Sequence, residues 1–188
     1  MKYSLIIPAY HATHELVDLT CACIHSQIED LQLILIADNA PYTVNVNSGL
    51  KAATGDILII GNNDITFPEK WLTELVQPLN NGYDVATCWT SDQKYILEDK
   101  IEDNAKFGSL FAMKRQVYEI VGDFDEQFKG YFADDDYRQR ILAQGLTIGK
   151  NCNFVVDHIA KATYTLTDPE DEEFKKAKLL YEIKHGLE

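Results

Sequence analysis

The sequence predicts a single α/β domain in which helices flank a mostly parallel central sheet, and three observations predict it. Apolar runs of strand length at 3–8, 31–37 and 57–60 are separated by segments with helical periodicity. The runs are nearly unbroken, as strands covered on both faces require, whereas half-solvated strands alternate with polar residues. The second and third runs end in groups that bind, Asp38 after one and Asn62, Asn63 and Asp64 after the other. Ligands of open α/β sheets collect at such carboxyl ends of strands.

Taken in order, 3–8 is a short strand, and Leu16, Val17, Cys21 and Ile24 follow Thr13 at near-helical spacing. A strand at 31–37 and a loop with Pro41 lead to a modest helix around 47–53. The third strand, ILII, precedes a helix from Glu69 to about Gln77, and DVATCWT (84–90) is a fourth strand. Segment 91–106 is charged, with one apolar patch at 95–97, and predicts a loop or a small excursion from the sheet. FGSLFAMK is strand-like, RQVYEIV helical, Gly122 a turn, and FADDDYRQRILAQG a helix closed by Gly145. Short β segments near 146–148 and 154–156 come before a C-terminal helix. Its acidic start after Asp168 and Pro169, and its lysines at 175, 176 and 178, follow the helix dipole. The expected division is one domain over 1–166 with that helix, 167–188, packed on it or extending from it.

Length and composition fit this picture. The 188 residues, 46% of them hydrophobic, suffice for one domain with a substantial core. No apolar stretch approaches the ~18 residues of a membrane span, and Pro8 interrupts the N-terminal run. Cys21, Cys23, Cys88 and Cys152 have neither a metal-ligand spacing nor a disulfide pattern, so reduced thiols and a cytoplasmic location are expected. The net charge of −13 argues against plain nucleic acid as a partner, because a phosphate backbone would be repelled.

Three places could do chemistry. Asp64, flanked by amides at a strand end, could hold a divalent cation against a phosphate. It could equally cap the helix that follows Pro68. Asp134, Asp135 and Asp136 crowd three carboxylates into one helix entrance. One suffices as a cap, and a carboxylate beside another has its proton affinity raised toward that of a general base. His158 ends the run NFVVDH, placed for a metal or for a structural hydrogen bond. His11 and His14 lack further ligands for zinc. No GxGxxG, GxxxxGK[ST] or GxSxG occurs, which weakens dinucleotide, P-loop and α/β-hydrolase chemistry.

Together these pieces resemble the inverting family 2 glycosyltransferases of the GT-A, Rossmann-like fold, including their rhamnosyltransferase-like members. SLIIPAYH is similar to the family's opening strand and Pro-x-Tyr-Asn turn, with His11 in place of Asn. LILIADNA resembles its second strand, and NSGLKAATGDILIIGNND its Asn-x-Gly, Ala-x-Gly-Asp and Asn-Asn-Asp series, the last a variant of Asp-x-Asp. VGDFDEQFKGYFADDDYRQRILAQG resembles the Gly-Gly-Phe-Asp-Glu to Glu-Asp-x-Asp-Leu-x-x-Arg pattern. The resemblance implies a nucleotide-sugar donor, UDP- or dTDP-linked for preference, and a hydroxyl acceptor. Pro8 and Tyr10 would line the base and ribose pocket, and Asp38 would accept from a pyrimidine imide N–H. Asn62 would touch the ribose with Asn63 beside it, and Asp64, with His158, would hold Mn²⁺ or Mg²⁺. Asp134 would be the general base, and Asp135, Asp136 and Arg140 would position the acceptor or its helix.

Ala133 departs from the pattern where the family has Glu. Little chain remains for an acceptor domain, which leaves 91–106, the C-terminal helix, a partner subunit or a homo-oligomer to supply acceptor contacts. A catalytically silent nucleotide-sugar-binding module is the competing reading, motivated by Asn62, Asn63 and Ala133. A nucleotidyltransferase is weaker still, since PAYHATHE lacks a glycine-rich basic phosphate loop.

Overall fold

The computed structural model of the chain describes residues 1–9, 31–158 and 172–187. Among these residues seven strands form one sheet: β1 Tyr3–Ala9, β2 Leu31–Ala37, β3 Ile57–Gly61, β4 Val85–Thr90, β5 Ile101–Asp103, β6 Leu110–Lys114 and β7 Ile148–Val156, in the spatial order β2-β1-β3-β6-β4-β7-β5. β1, β2, β3, β4 and β7 share one direction, while β6 and the edge strand β5 run against them. The sheet is therefore mixed, mostly parallel by strand count. The described helices are α1 Tyr42–Ala52, α2 Trp71–Leu75, α3 Gln77–Asn80, α4 Arg115–Val121, α5 Ala133–Ala143 and α6 Glu172–His185. None is long and apolar enough to cross a membrane.

The inward residues of β3 show why such runs are unbroken. Leu58 and Ile60 pack on one face of the sheet with α1, α4 and α5, and Ile57 and Ile59 pack on the other with Trp71, Leu75 and Leu79 of α2 and α3. Two glycines permit the closest approaches. A Cβ on Gly49 would lie 2.3 Å from Ile6 Cγ2, and one on Gly55 would lie 2.7 Å from Ser4 N, so α1 and the turn before β3 sit against β1 at distances only glycine allows.

Several elements differ from expectation for identifiable reasons. The helix expected at 47–53 begins five residues earlier, at Tyr42, because Asn45 and Asn47 are buried and disguise its inner face. Asn45 Nδ2 donates to Asp38 O (3.1 Å) and Ala40 O (3.2 Å). Asn47 Nδ2 donates to Phe124 O (3.0 Å), whose own N–H returns a bond to Asn47 Oδ1 (2.8 Å). The helix expected from 69 to 77 is two, since Pro78 has no N–H to give Glu74 O. Asn151 Nδ2 takes that carbonyl instead, at 3.0 Å. The β segments expected at 146–148 and 154–156 are one strand, β7, whose register against β4 shifts between Cys88 and Trp89. Segment 91–106 contains β5. The helix expected after Thr13, the pair Cys21 and Cys23, and the Asp168–Pro169 cap lie outside the described residues.

α6 has no buried residue, yet Ala177, Leu180 and Tyr181 pack against the core cluster that includes α5. Its ends carry Glu172 and Glu173 at the start and Lys184 and His185 at the finish, in the sense the helix dipole favours.

Candidate active site

A cleft of about 720 Å³ opens over the carboxyl ends of the parallel strands. Pro8 from β1, Asn62, Asn63 and Asp64 after β3, Asp92 after β4 and His158 after β7 line it, with Asp134 and Asp135 of α5 and Glu173 and Phe174 of α6 across from them. Crossover connections make this convergence, because every parallel strand delivers its last residue to the same edge.

At the strand end of the cleft, an antiparallel bridge between Ile65 and His158, and a bond from Thr66 N to Asp157 O (2.9 Å), clamp two distant segments together. Asp64 Oδ1 thereby comes within 3.2 Å of His158 Nε2, each side chain being 12% exposed. Asp92 Oδ1 stands 3.2 Å from His158 Nδ1. Burial opposes the imidazolium, but the carboxylates of Asp64 and Asp92 outweigh it and raise the His158 pKa above its ordinary value. Asp64 is no helix cap: α2 starts seven residues later, after Lys70. The described residues contain no cluster of three or more His, Cys, Asp or Glu side chains arranged for a metal.

At the opposite end, α5 begins after Phe132, a non-glycine residue held at φ 62°, ψ 6°. Ala133 turns into the core, and Asp134 and Asp135 face the cleft. The N-cap residue of α5, Phe132, makes no side-chain cap hydrogen bond. Burial, then the neighbouring Asp135, push the Asp134 pKa up to about 6, against the pull of nearby backbone amides and Lys106. Asp136 and Arg140 do not line the cleft. Asp136 is fully buried behind it, where Arg140 Nε (3.0 Å), Lys184 Nζ (2.8 Å) and His185 Nε2 (2.9 Å) converge on its carboxylate.

Of the remaining expected site residues, Asp38 is exposed one position before Asn39, which lines the cleft. Tyr10, His11 and His14 lie outside the described residues. Sequence reasoning missed Asp92, hidden in the charged 91–106 segment, and the aromatic group of Tyr131, Phe132 and Phe174. The clustering of aromatic residues at 131 and 132 just ahead of the three aspartates was the available sign.

Known proteins share this fold. The model of Glycosyl transferase family 2 matches residues 42–138, a little over half of the chain, from α1 through the Asn62–Asp64 turn to the first turns of α5. S. aureus TarS 1–349 has a similar structure, with a TM-score of 0.65 at 12% identity over 97% of this chain and 65% of that one. GalNAc-T7, solved with UDP, GalNAc and Mn²⁺, gives a TM-score of 0.69 at 11% identity over 84% of this chain and 43% of that one. The chain thus spans less than two thirds of either structure, and at these identities the likeness is one of fold. No curated protein matches the chain. The family match and the shared GT-A fold lead to one conclusion: the chain belongs to glycosyl transferase family 2.

Proposed function

We propose that the chain transfers a sugar from a nucleotide-sugar donor, UDP- or dTDP-linked for preference, to a hydroxyl acceptor with inversion at the anomeric carbon. The observation that carries this reading is the pairing within one cleft of a strand-end carboxylate, Asp64, with a second carboxylate, Asp134, whose pKa of about 6 suits a general base near neutral pH. Asp134 would take the acceptor's hydroxyl proton as its oxygen attacks the anomeric carbon, while the bond to the nucleoside diphosphate breaks on the opposite face. Pro8 would border the nucleoside and Asn62 the ribose, with Asn63 beside it. Tyr10 and Asp38 would complete base recognition.

A divalent cation fits the donor set. One hard carboxylate oxygen and one imidazole nitrogen suit Mn²⁺ better than Mg²⁺, and a cation held by two side chains would draw its other ligands from the diphosphate. Such an ion, held by Asp64 and His158, would offset the charge that develops on the leaving group. GalNAc-T7 was solved with UDP and Mn²⁺, which supports a donor bound together with a cation here. Asp135 would meet the acceptor, and Asp136 with Arg140 would position α5. The free, buried thiols of Cys88 and Cys152 support a cytoplasmic setting.

The test compares two variants in donor hydrolysis and transfer assays. Asp134→Asn is expected to lower turnover by about 10²–10⁴-fold, the usual worth of a general base, with donor affinity retained. Asp64→Ala is expected to lose Mn²⁺-dependent donor binding. Equal loss of donor binding in both variants would refute the division of roles. Donor binding with no turnover of any kind in the unaltered protein would favour a silent binding module.

A further inference from the structure

One wall of the cleft has no part in the donor or the base. Tyr131, Phe132 and Phe174 line it beside Asp134. Tyr131 meets Phe174 edge-on, with ring centres 5.2 Å apart at 89°, and Phe132 lies 5.4 Å from Phe174 and 5.3 Å from Tyr181. The rim of this aromatic corner is polar. Asp135 and Glu173 face the same space, and Lys129 Nζ is 3.7 Å from Glu173.

Two observations mark the corner as built for a purpose. Phe132 keeps a left-handed backbone conformation that is strained for a bulky residue, a strain that persists where surrounding structure enforces it and that gathers at ligand sites. α6, which brings in Glu173 and Phe174, is fastened at its far end: Lys184 Nζ binds Asp125 (2.6 Å) and buried Asp136 (2.8 Å), and His185 joins the same carboxylate. A helix with no buried residue of its own is thus held in register with the base-bearing helix.

The chemistry of the corner selects a ligand. A pyranose presents C–H faces, whose partial positive charge suits the negative face of an aromatic ring, and a belt of hydroxyls that donate to carboxylates. Five carboxylates line the cleft against Lys129 and His158, so an anionic group beside the reacting hydroxyl would be repelled. We infer that Tyr131, Phe132 and Phe174, rimmed by Asp135 and Glu173, form the acceptor subsite for an uncharged sugar ring. This inference rests on Asp134 being the base that the ring's hydroxyl must reach.

Saturation-transfer NMR on the full chain tests it, with methyl glucopyranoside and cellobiose as neutral probes and glucuronate as the anionic counterpart, each with and without UDP and Mn²⁺. The neutral sugars are expected to bind and glucuronate to bind at least about tenfold more weakly. Phe174→Ala should weaken the neutral sugars by about fivefold or more, Phe174→Trp should retain them, and Leu179→Ala on the exposed face of α6 should change nothing. UDP affinity should stay level in all three. Glucuronate binding as well as the neutral sugars, no neutral sugar binding, or an unchanged affinity in Phe174→Ala would each overturn the subsite. Failure of UDP to bind while the neutral sugars do would refute the donor reading and leave the subsite supported.

Discussion

Asp134 is costly where it stands. Its pKa lies above the ordinary 3.8, at about 6, so the folded state prefers the protonated acid, and the stability this group contributes is present below pH 4 and lost as pH rises through 6. Fully realised, the shift is worth about 3 kcal/mol at neutral pH, and the face open to the cleft reduces it. Asp134→Asn should therefore stabilise the protein by about 1 kcal/mol at pH 8 and by nothing measurable at pH 4, as read by urea denaturation at the two pH values. The same titration predicts that turnover falls about tenfold per pH unit below pH 6. A variant that loses activity while gaining stability is what a base held in an unfavourable setting should yield, whereas a capping residue would lose stability instead.

At the scale of elements, the join between α5 and α6 is apolar along its length and electrostatic at its far end. Asp136 is fully buried and meets three cationic or potentially cationic side chains, and removing one member of such a group strands the others. Asp136→Ala is expected to lower stability by about 3 kcal/mol and to expose α6 to proteolysis, while Lys175→Ala, in an exposed pair on the same helix, should cost less than about 0.5 kcal/mol. Limited proteolysis together with denaturant titration distinguishes the two. The link from β1 to the turn before β3 is steric: at Gly55 an alanine methyl would meet the Ser4 and Tyr3 backbone at 2.7 Å, and backbone cannot swing aside as a side chain could. Gly55→Ala should destabilise by about 2 kcal/mol or more, measured by thermal unfolding.

For the molecule as a whole, the strand-end logic was legible in the sequence because it is local. Unbroken apolar runs name the buried strands, and the residues that follow them, Asn62 to Asp64 and His158, arrive at one cleft. What was not legible is what depends on distant partners. β6 reads like any other apolar strand, and only its pairing with β3 and β4 reverses it. Asn45 and Asn47 look like loop residues, because their value lies in carbonyls at 38, 40 and 124 that the local sequence does not display. Asp92 and Phe174 reach the cleft by the return of a charged loop and the docking of a helix, neither of which periodicity encodes.

Thermal unfolding against a panel of UDP-, dTDP- and GDP-sugars, each with and without Mn²⁺, decides whether the cleft is a nucleotide-sugar site assisted by a divalent cation. A ligand at one hundred times its Kd adds about 2.7 kcal/mol to stability. A clear rise in Tm is expected with a UDP- or dTDP-sugar, one that depends on Mn²⁺ and disappears in Asp64→Ala. No rise with any donor, or a rise that Asp64→Ala leaves intact, would contradict it.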